Sequence, residues 1–313
     1  MKKALTHFFG HLGNSYLFTE ATSGKRTLHW AIIPLVFFGL AVLGITLGAL
    51  AEVGLGNAGK AAEGGEGTFK GVSVLFTLFG PAILMLALWV YFYEGRAIRS
   101  LGFSRRGGTK RFFTGMAIGV SMMSIVVLIN WAAGGYALNT AALSLTSPEL
   151  IAGIAFLLVG FTVQAGAEEL YLRGWLMPVI GARYPRVIAI LLPAFAFVAL
   201  HGNPEGRPFY TAFGLLFFTL IVTLWSLRDG SIAAAAGWHA GWNWASGHLF
   251  GLNISNTSFG DKSLLDFEPA GSVYTSGGTG GPEWTVAATA LLLIALLWLI
   301  RDIYKSGVYQ RPT

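Results

Sequence analysis

The sequence predicts an all-α, polytopic transmembrane helical bundle of about eight spans. Three observations carry that expectation. Of the 313 residues, 54% are hydrophobic and only 12% are charged, where an average soluble domain has about 25% charged residues. The apolar residues fall into runs near the length of roughly 20 residues that a helix needs to cross a bilayer. Lys and Arg sort to one side of those runs. The net charge of +6 and a pI near 9.6 would suit a nucleic-acid binder, but the mean hydropathy of +0.61 opposes that reading. In a membrane protein a basic excess marks cytoplasmic loops, so no nucleic-acid partner is expected. Cysteine is absent, which excludes disulfides, thiolate metal ligands and cysteine nucleophiles.

Taken in order, residues 1–29 carry basic residues but neither a long apolar core nor a small-residue cleavage site. They read as a retained cytoplasmic segment rather than a signal peptide. Spans are expected at about 30–50, 72–93, 112–134, 150–167, 187–201, 209–227, 231–250 and 284–300. The fourth can continue through EELYLRGWLMPVIGA as one long helix. The fifth is short and holds Pro193, which can tilt or kink it. Residues 30–303 thus read as a single transmembrane domain and 304–313 as a cytoplasmic tail. With the N-terminus inside, inner segments hold 17 of the 21 Lys and Arg residues. The positive-inside rule then puts both termini in the cytoplasm. The inner loop 94–111 is basic and reads as a topology determinant, with binding of anionic lipid as the sharper alternative. The outer loop 251–283, rich in Gly, Ser, Asn and Thr, reads as irregular, with no chemistry of its own.

Ionisable residues inside spans are costly and are functional candidates by default. They concentrate between 164 and 248. Glu169 and Arg173 are four apart on a helix and can pair. Glu168 points about 100° away and is left for general-base work; a helix-end salt bridge at the membrane surface is the plainer account. His201 ends an apolar run, and a lone histidine there is commonly structural. Residues 182–186 read as a turn, however, and Glu168 and His201 lie about 16 residues either side of it, at similar heights in an antiparallel hairpin. His239 and Asn243 share a helix face and can both donate toward one point, as an oxyanion site requires. Counted from the 229–230 turn, His239 lies roughly 14 Å deep, against about 25 Å for Glu168 and His201, a mismatch that tilt or a kink must remove. Trp238, Trp242 and Trp244 read as packing or an interfacial belt, His248 as an interfacial polar residue, and Asn130 as a helix–helix hydrogen bonder. His7, His11 and His29 have no assigned role.

At these residues the sequence resembles the CPBP family, which contains the type II CAAX prenyl endopeptidases and Abi or bacteriocin-processing proteins. Glu168-Glu169-x-x-x-Arg173, Phe197-x-x-x-His201 and His239-x-x-x-Asn243 are similar to its three signature motifs, within a core of about 150–250. The resemblance implies a CAAX-protease-like intramembrane fold and an endopeptidase acting on membrane-associated or prenyl-type peptide substrates. It implies that Glu168 activates water beside His201, that His239 and Asn243 stabilise the oxyanion, and that Glu169 and Arg173 hold the site together. It leaves the cofactor open: zinc held by Glu168, His201 and His239, or no metal. The implied setting is the inner (plasma) membrane, with the lipid bilayer and a peptide or membrane-protein substrate as partners. The alternative is a non-catalytic membrane protein, either a transporter or an immunity or scaffold member of the same family.

Overall fold

The computed structural model describes residues 12–54, 68–103, 107–140, 147–202, 208–258 and 263–309. The ends of both terminal segments, most of 202–208 and part of the loop 94–111 lie outside these residues. The chain is an all-α bundle. After a short helix α1 (Tyr16–Ala21) come α2 (Ile33–Gly54), α3 (Thr68–Leu88, continued as a π-helix through Trp89–Glu94) and α4 (Gly108–Ala132). Helix α5 runs over Pro148–Gly181 as one 34-residue element, with a π-helical stretch at Leu170–Leu176. Then follow α6 (Arg186–Leu200), α7 (Thr211–Asp229), α8 (Ala233–Trp244, continued as a π-helix through Ala245–Leu249) and α9 (Val286–Tyr309).

Six of these helices are long and apolar enough to cross a membrane: α2, α3, α4, α5, α7 and α9. The other two expected spans are the shorter helices, with 15 residues in α6 and 12 in the α-helical part of α8. The fourth span does continue through the EELYLRGW segment, as one element. Strands β1 (Tyr136–Leu138) and β2 (Phe267–Pro269) form a small antiparallel pair, with Tyr136 opposite Pro269.

Burial sorts the helices into centre and rim. The apolar windows of α5 and α7 are 50% and 56% buried, whereas those of α2, α3 and α9 are 28%, 22% and 28% buried. Helix α8 is the innermost, with every residue from Ala234 to Asn243 buried. Its tight seat follows from two glycine pairs spaced by four. A Cβ at Gly115 or Gly119 of α4 would overlap the carbonyls of Ala234 and Trp238; one at Gly237 or Gly241 of α8 would overlap those of Phe112 and Met116. Without a hydrophobic force between helices in lipid, such small-residue faces let backbones approach and pack. On α8, His239 lies about 200° around the helix from both glycines. Pinning the glycine face to α4 therefore turns His239 toward α5.

Residues 12–21 fold back against the bundle, with Leu12, Leu17 and Phe18 buried. Ser15 donates to the Leu227 carbonyl (2.8 Å), and Arg186 lies over the Phe18 ring. At the same end, Glu94 is buried and accepts hydrogen bonds from Trp89 Nε1 (3.0 Å) and Trp175 Nε1 (2.6 Å), beside an ion pair to Arg96. This cluster ties the end of α3 to the π-helical stretch of α5. Asn130 donates to Thr285 Oγ1 (3.0 Å) and so joins α4 to the start of α9, as its sequence position suggested.

Candidate active site

A cavity of about 150 Å³ is lined by Glu168, His201, His239 and Asn243, together with Gln164. The three motif-bearing segments α5, α6 and α8 thus place these side chains around one space. Residues of the 251–283 connection close it: Ile254, Ser255, Thr257 and Glu283 line the same cavity. The loop expected to have no chemistry of its own thus supplies part of the cavity wall. Its polar residues carried no periodic signal because their place depends on a turn, not on a helix.

The two glutamates differ as the helical spacing predicts. Glu169 is fully buried and pairs with the equally buried Arg173 at 3.1 Å. Arg173 also donates from Nη2 to the carbonyl (3.1 Å) and hydroxyl of Thr219, and from Nε to Thr223 Oγ1 (3.2 Å). Its guanidinium lies 5.3 Å from the centre of the Phe197 ring, a cation–π contact. Every side of the charge thus has a partner, as burial demands. Glu168 is 25% exposed and takes no arginine. Gln164, one turn earlier, donates to Glu168 Oε1 (2.5 Å), and Asn243 donates to Gln164 Oε1 (3.1 Å). Gln164 was missed in the sequence reading; an amide one turn before a motif glutamate, inside an apolar span, was the available signal.

The histidines are held in different ways. His201 Nδ1 lies 2.8 Å from the Phe197 carbonyl. A carbonyl can only accept, so Nδ1 carries the proton and Nε2 of the neutral ring keeps a lone pair. His239 Nδ1 lies 3.0 Å from Glu169 Oε1, and its Nε2 lies 3.9 Å from Glu168 Oε2. Phe218 packs edge-on to the His239 ring at 4.9 Å. The second distance is too long for a direct hydrogen bond but lets one water or one substrate oxygen reach both atoms at about 2.8 Å.

These distances remove the depth mismatch. Residue counting treated the α7–α8 turn as lying at the membrane face. That turn is covered instead: Ser231 and Ile232 bond to the Gly102 carbonyl (both 3.0 Å), and Ser15 caps Leu227 from below. Helix α8 therefore starts inside the molecule, and His239 reaches the level of Glu168.

His248 differs from its expected interfacial position. It is 1% exposed and packs on Phe161, with ring centres 5.4 Å apart, without lining the cavity itself. Trp238 and Trp242 are buried packing residues rather than an interfacial belt. The zinc reading needs three ligands within about 2.0–2.2 Å of one point. Among the described residues no group of three or more His, Asp or Glu is arranged to hold a metal ion.

A second, apolar groove of about 440 Å³ reaches Glu168 and His201 from the side. Phe38, Val42, Ile45 and Leu200 line it and are themselves exposed, so it opens between α2 and α6 to the surroundings of the bundle.

Fold and cavity together define a multi-pass helical membrane protein with a small cavity among its helices where several polar side chains meet. Residues 150–245 of the chain match the family model described as type II CAAX prenyl endopeptidase, Rce1-like. The chain therefore carries an Rce1-like domain over those residues, in line with the CPBP resemblance of its motifs. No curated protein and no solved structure matches the chain. At family level the match supports a CAAX-type intramembrane protease.

Proposed function

We propose that the chain is an intramembrane endopeptidase that hydrolyses a peptide bond of a membrane-associated substrate through a glutamate-activated water. The observation that carries this reading is the single cavity lined by Glu168, His201, His239 and Asn243. Glu168 is the accessible carboxylate, and Gln164 orients it so that one oxygen faces the cavity. A water there loses its proton to Glu168 as it attacks the scissile carbonyl. Glu168 then passes that proton to the departing amine as the C–N bond breaks, while the lone pair on His201 Nε2 accepts a hydrogen bond from the attacking water. The oxyanion meets the second N–H of Asn243 and Nε2 of His239. For His239 to donate from Nε2 while Nδ1 engages Glu169, the ring must carry both protons. Glu169 offsets that charge, and Arg173 holds Glu169. The apolar side groove suits a lipid-embedded or lipidated segment leading to the bond.

Both termini lie in the cytoplasm on the strength of the Lys and Arg distribution, and the inner (plasma) membrane is the setting that the CPBP resemblance implies. Residues 1–29, 30–303 and 304–313 serve as inner segment, catalytic membrane domain and inner tail. The test uses purified protein in nanodiscs with a membrane-embedded or prenylated peptide. Wild type cleaves it, while Glu168→Ala and His201→Ala do not. Cleavage by both variants at the wild-type rate defeats the mechanism.

A further inference from the structure

One buried amide in the cavity touches both groups on which the proposed chemistry depends. Gln164 Nε2 donates to Glu168 Oε1 (2.5 Å), and Asn243 Nδ2 donates to Gln164 Oε1 (3.1 Å). The base and the oxyanion donor are thus joined in series, through a side chain that lies outside the three sequence motifs. Glu168 follows Gln164 by one turn of α5, whereas Asn243 reaches Gln164 from α8.

Chemistry fixes the direction of this chain. An ionised carboxylate only accepts, so Gln164 must turn its NH2 toward Glu168 and its carbonyl oxygen toward Asn243. That oxygen also only accepts, so Asn243 must in turn present its NH2. Reversing either amide would set oxygen against oxygen. The seat of Asn243 is therefore set by the charge on Glu168, transmitted through Gln164. One N–H of Asn243 is engaged by Gln164, and the other is the one that the proposed mechanism gives to the oxyanion.

Other contacts hold the two helices together at this level. Trp244 Nε1 on α8 donates to the Ile154 carbonyl of α5 (2.9 Å), and His239 Nδ1 on α8 lies 3.0 Å from Glu169 Oε1 of α5. What Gln164 adds is reach and direction. Asparagine at this position would be shorter by one methylene, about 1.5 Å along the side chain, and would open both bonds. Methionine would keep the length, but it has no N–H for Glu168 and only a weak acceptor for Asn243.

We propose that Gln164 is a positioning residue that couples Glu168 to Asn243, so that the base and the oxyanion donor are seated as one unit. The roles of Glu168 and Asn243 rest on the endopeptidase reading above; the coupling between them rests on the hydrogen bonds alone.

The test has two arms, both on full-length protein in nanodiscs. In the first, Gln164→Met should lower kcat on a membrane-anchored peptide by about 10–100-fold with KM near the wild-type value, because misplaced groups slow the chemical step. In the Asn243→Ala background the same substitution should cost clearly less, since part of what Gln164 positions is already gone. The second arm needs no hydrolysis. With isotope-labelled asparagine, the side-chain NH2 resonance of Asn243 is assigned by its loss in Asn243→Ala. Glu168→Ala should shift this resonance when Gln164 is present and leave it in place in the Gln164→Met background. Gln164→Asn, which keeps an amide without the reach, repeats both arms if Gln164→Met lowers the thermal midpoint. Wild-type kcat in the Gln164 variants, fully multiplicative rate losses, or a Glu168→Ala shift of equal size in both backgrounds overturns the coupling and leaves the endopeptidase intact. A loss of kcat matched by a loss of thermal stability in both Gln164 variants assigns Gln164 to the fold and also overturns it. Coupling seen in the resonance, with no cleavage by wild type, upholds the proposal and defeats the endopeptidase reading.

Discussion

Arg173 has no water to fall back on: its side chain is 0% exposed, and Glu169, Thr219 and Thr223 take its donors. Removing one partner of a buried pair leaves the other charge uncompensated, at a cost of about 3–5 kcal/mol. Arg173→Ala should therefore lower the thermal midpoint sharply, whereas Glu168→Gln at the accessible carboxylate should leave it near wild type while abolishing turnover. Asn243→Ala should reduce kcat by about 10²–10³ with little change in KM, as loss of an oxyanion donor does elsewhere. A parallel rise in KM would place Asn243 in substrate binding instead. The pairing of Glu169 with Arg173, and the common face of His239 and Asn243, were legible because the members of each pair lie four residues apart on a single helix. Gln164, Thr219 and Thr223 were not, since a lone amide or hydroxyl in an apolar run does not name its partner. Ser255 and Glu283 could not be foreseen, because they lie 28 positions apart in sequence with no shared period to link them.

The helix crossings explain why the site is where it is. Gly115 and Gly119 meet the Ala234 and Trp238 carbonyls of α8, and Gly237 and Gly241 meet the Phe112 and Met116 carbonyls of α4, backbone against backbone. Gly241→Ala must therefore push α8 away from α4, and His239 and Asn243 with it. Both stability and activity should fall; Gly39→Ala on α2, whose Cβ would meet nothing within 4 Å, serves as the neutral control. Thermal unfolding and peptide cleavage, measured on both variants, separate the outcomes. The π-helical stretch at Leu170–Leu176 directly follows the two motif glutamates, and such widened turns recur at functional sites. Apolar runs revealed the helices, and α6 and α8 are shorter than the other expected spans. A helix buried on all sides needs apolar residues everywhere, just as a span does, so composition alone does not say whether the innermost helix crosses a membrane. The covered α7–α8 turn was equally invisible, because Ser15 and Gly102 reach it from distant parts of the chain.

For the molecule as a whole, the lack of native cysteine makes topology directly measurable. In intact cells, Glu268→Cys on β2 should react with a membrane-impermeant maleimide, and Ser23→Cys should react only after permeabilisation. The opposite pattern inverts the orientation and moves the 251–283 connection to the cytoplasm. The class of fold followed from composition and charge sorting, since both report the solvent rather than any particular contact. Closure of the cavity did not, being a matter of long-range packing. One consequence concerns the apolar groove between α2 and α6. Helix α2 leans chiefly on α3, with Gly44 and Gly48 packed against Ala82 and Thr77, and faces outward over Leu35, Val42 and Leu50. In the proposed membrane setting the open side of the groove faces acyl chains. Lipid thickness and fluidity become reaction variables in the same sense as pH or ionic strength for a soluble enzyme, and growth temperature can tune turnover without any change in the protein.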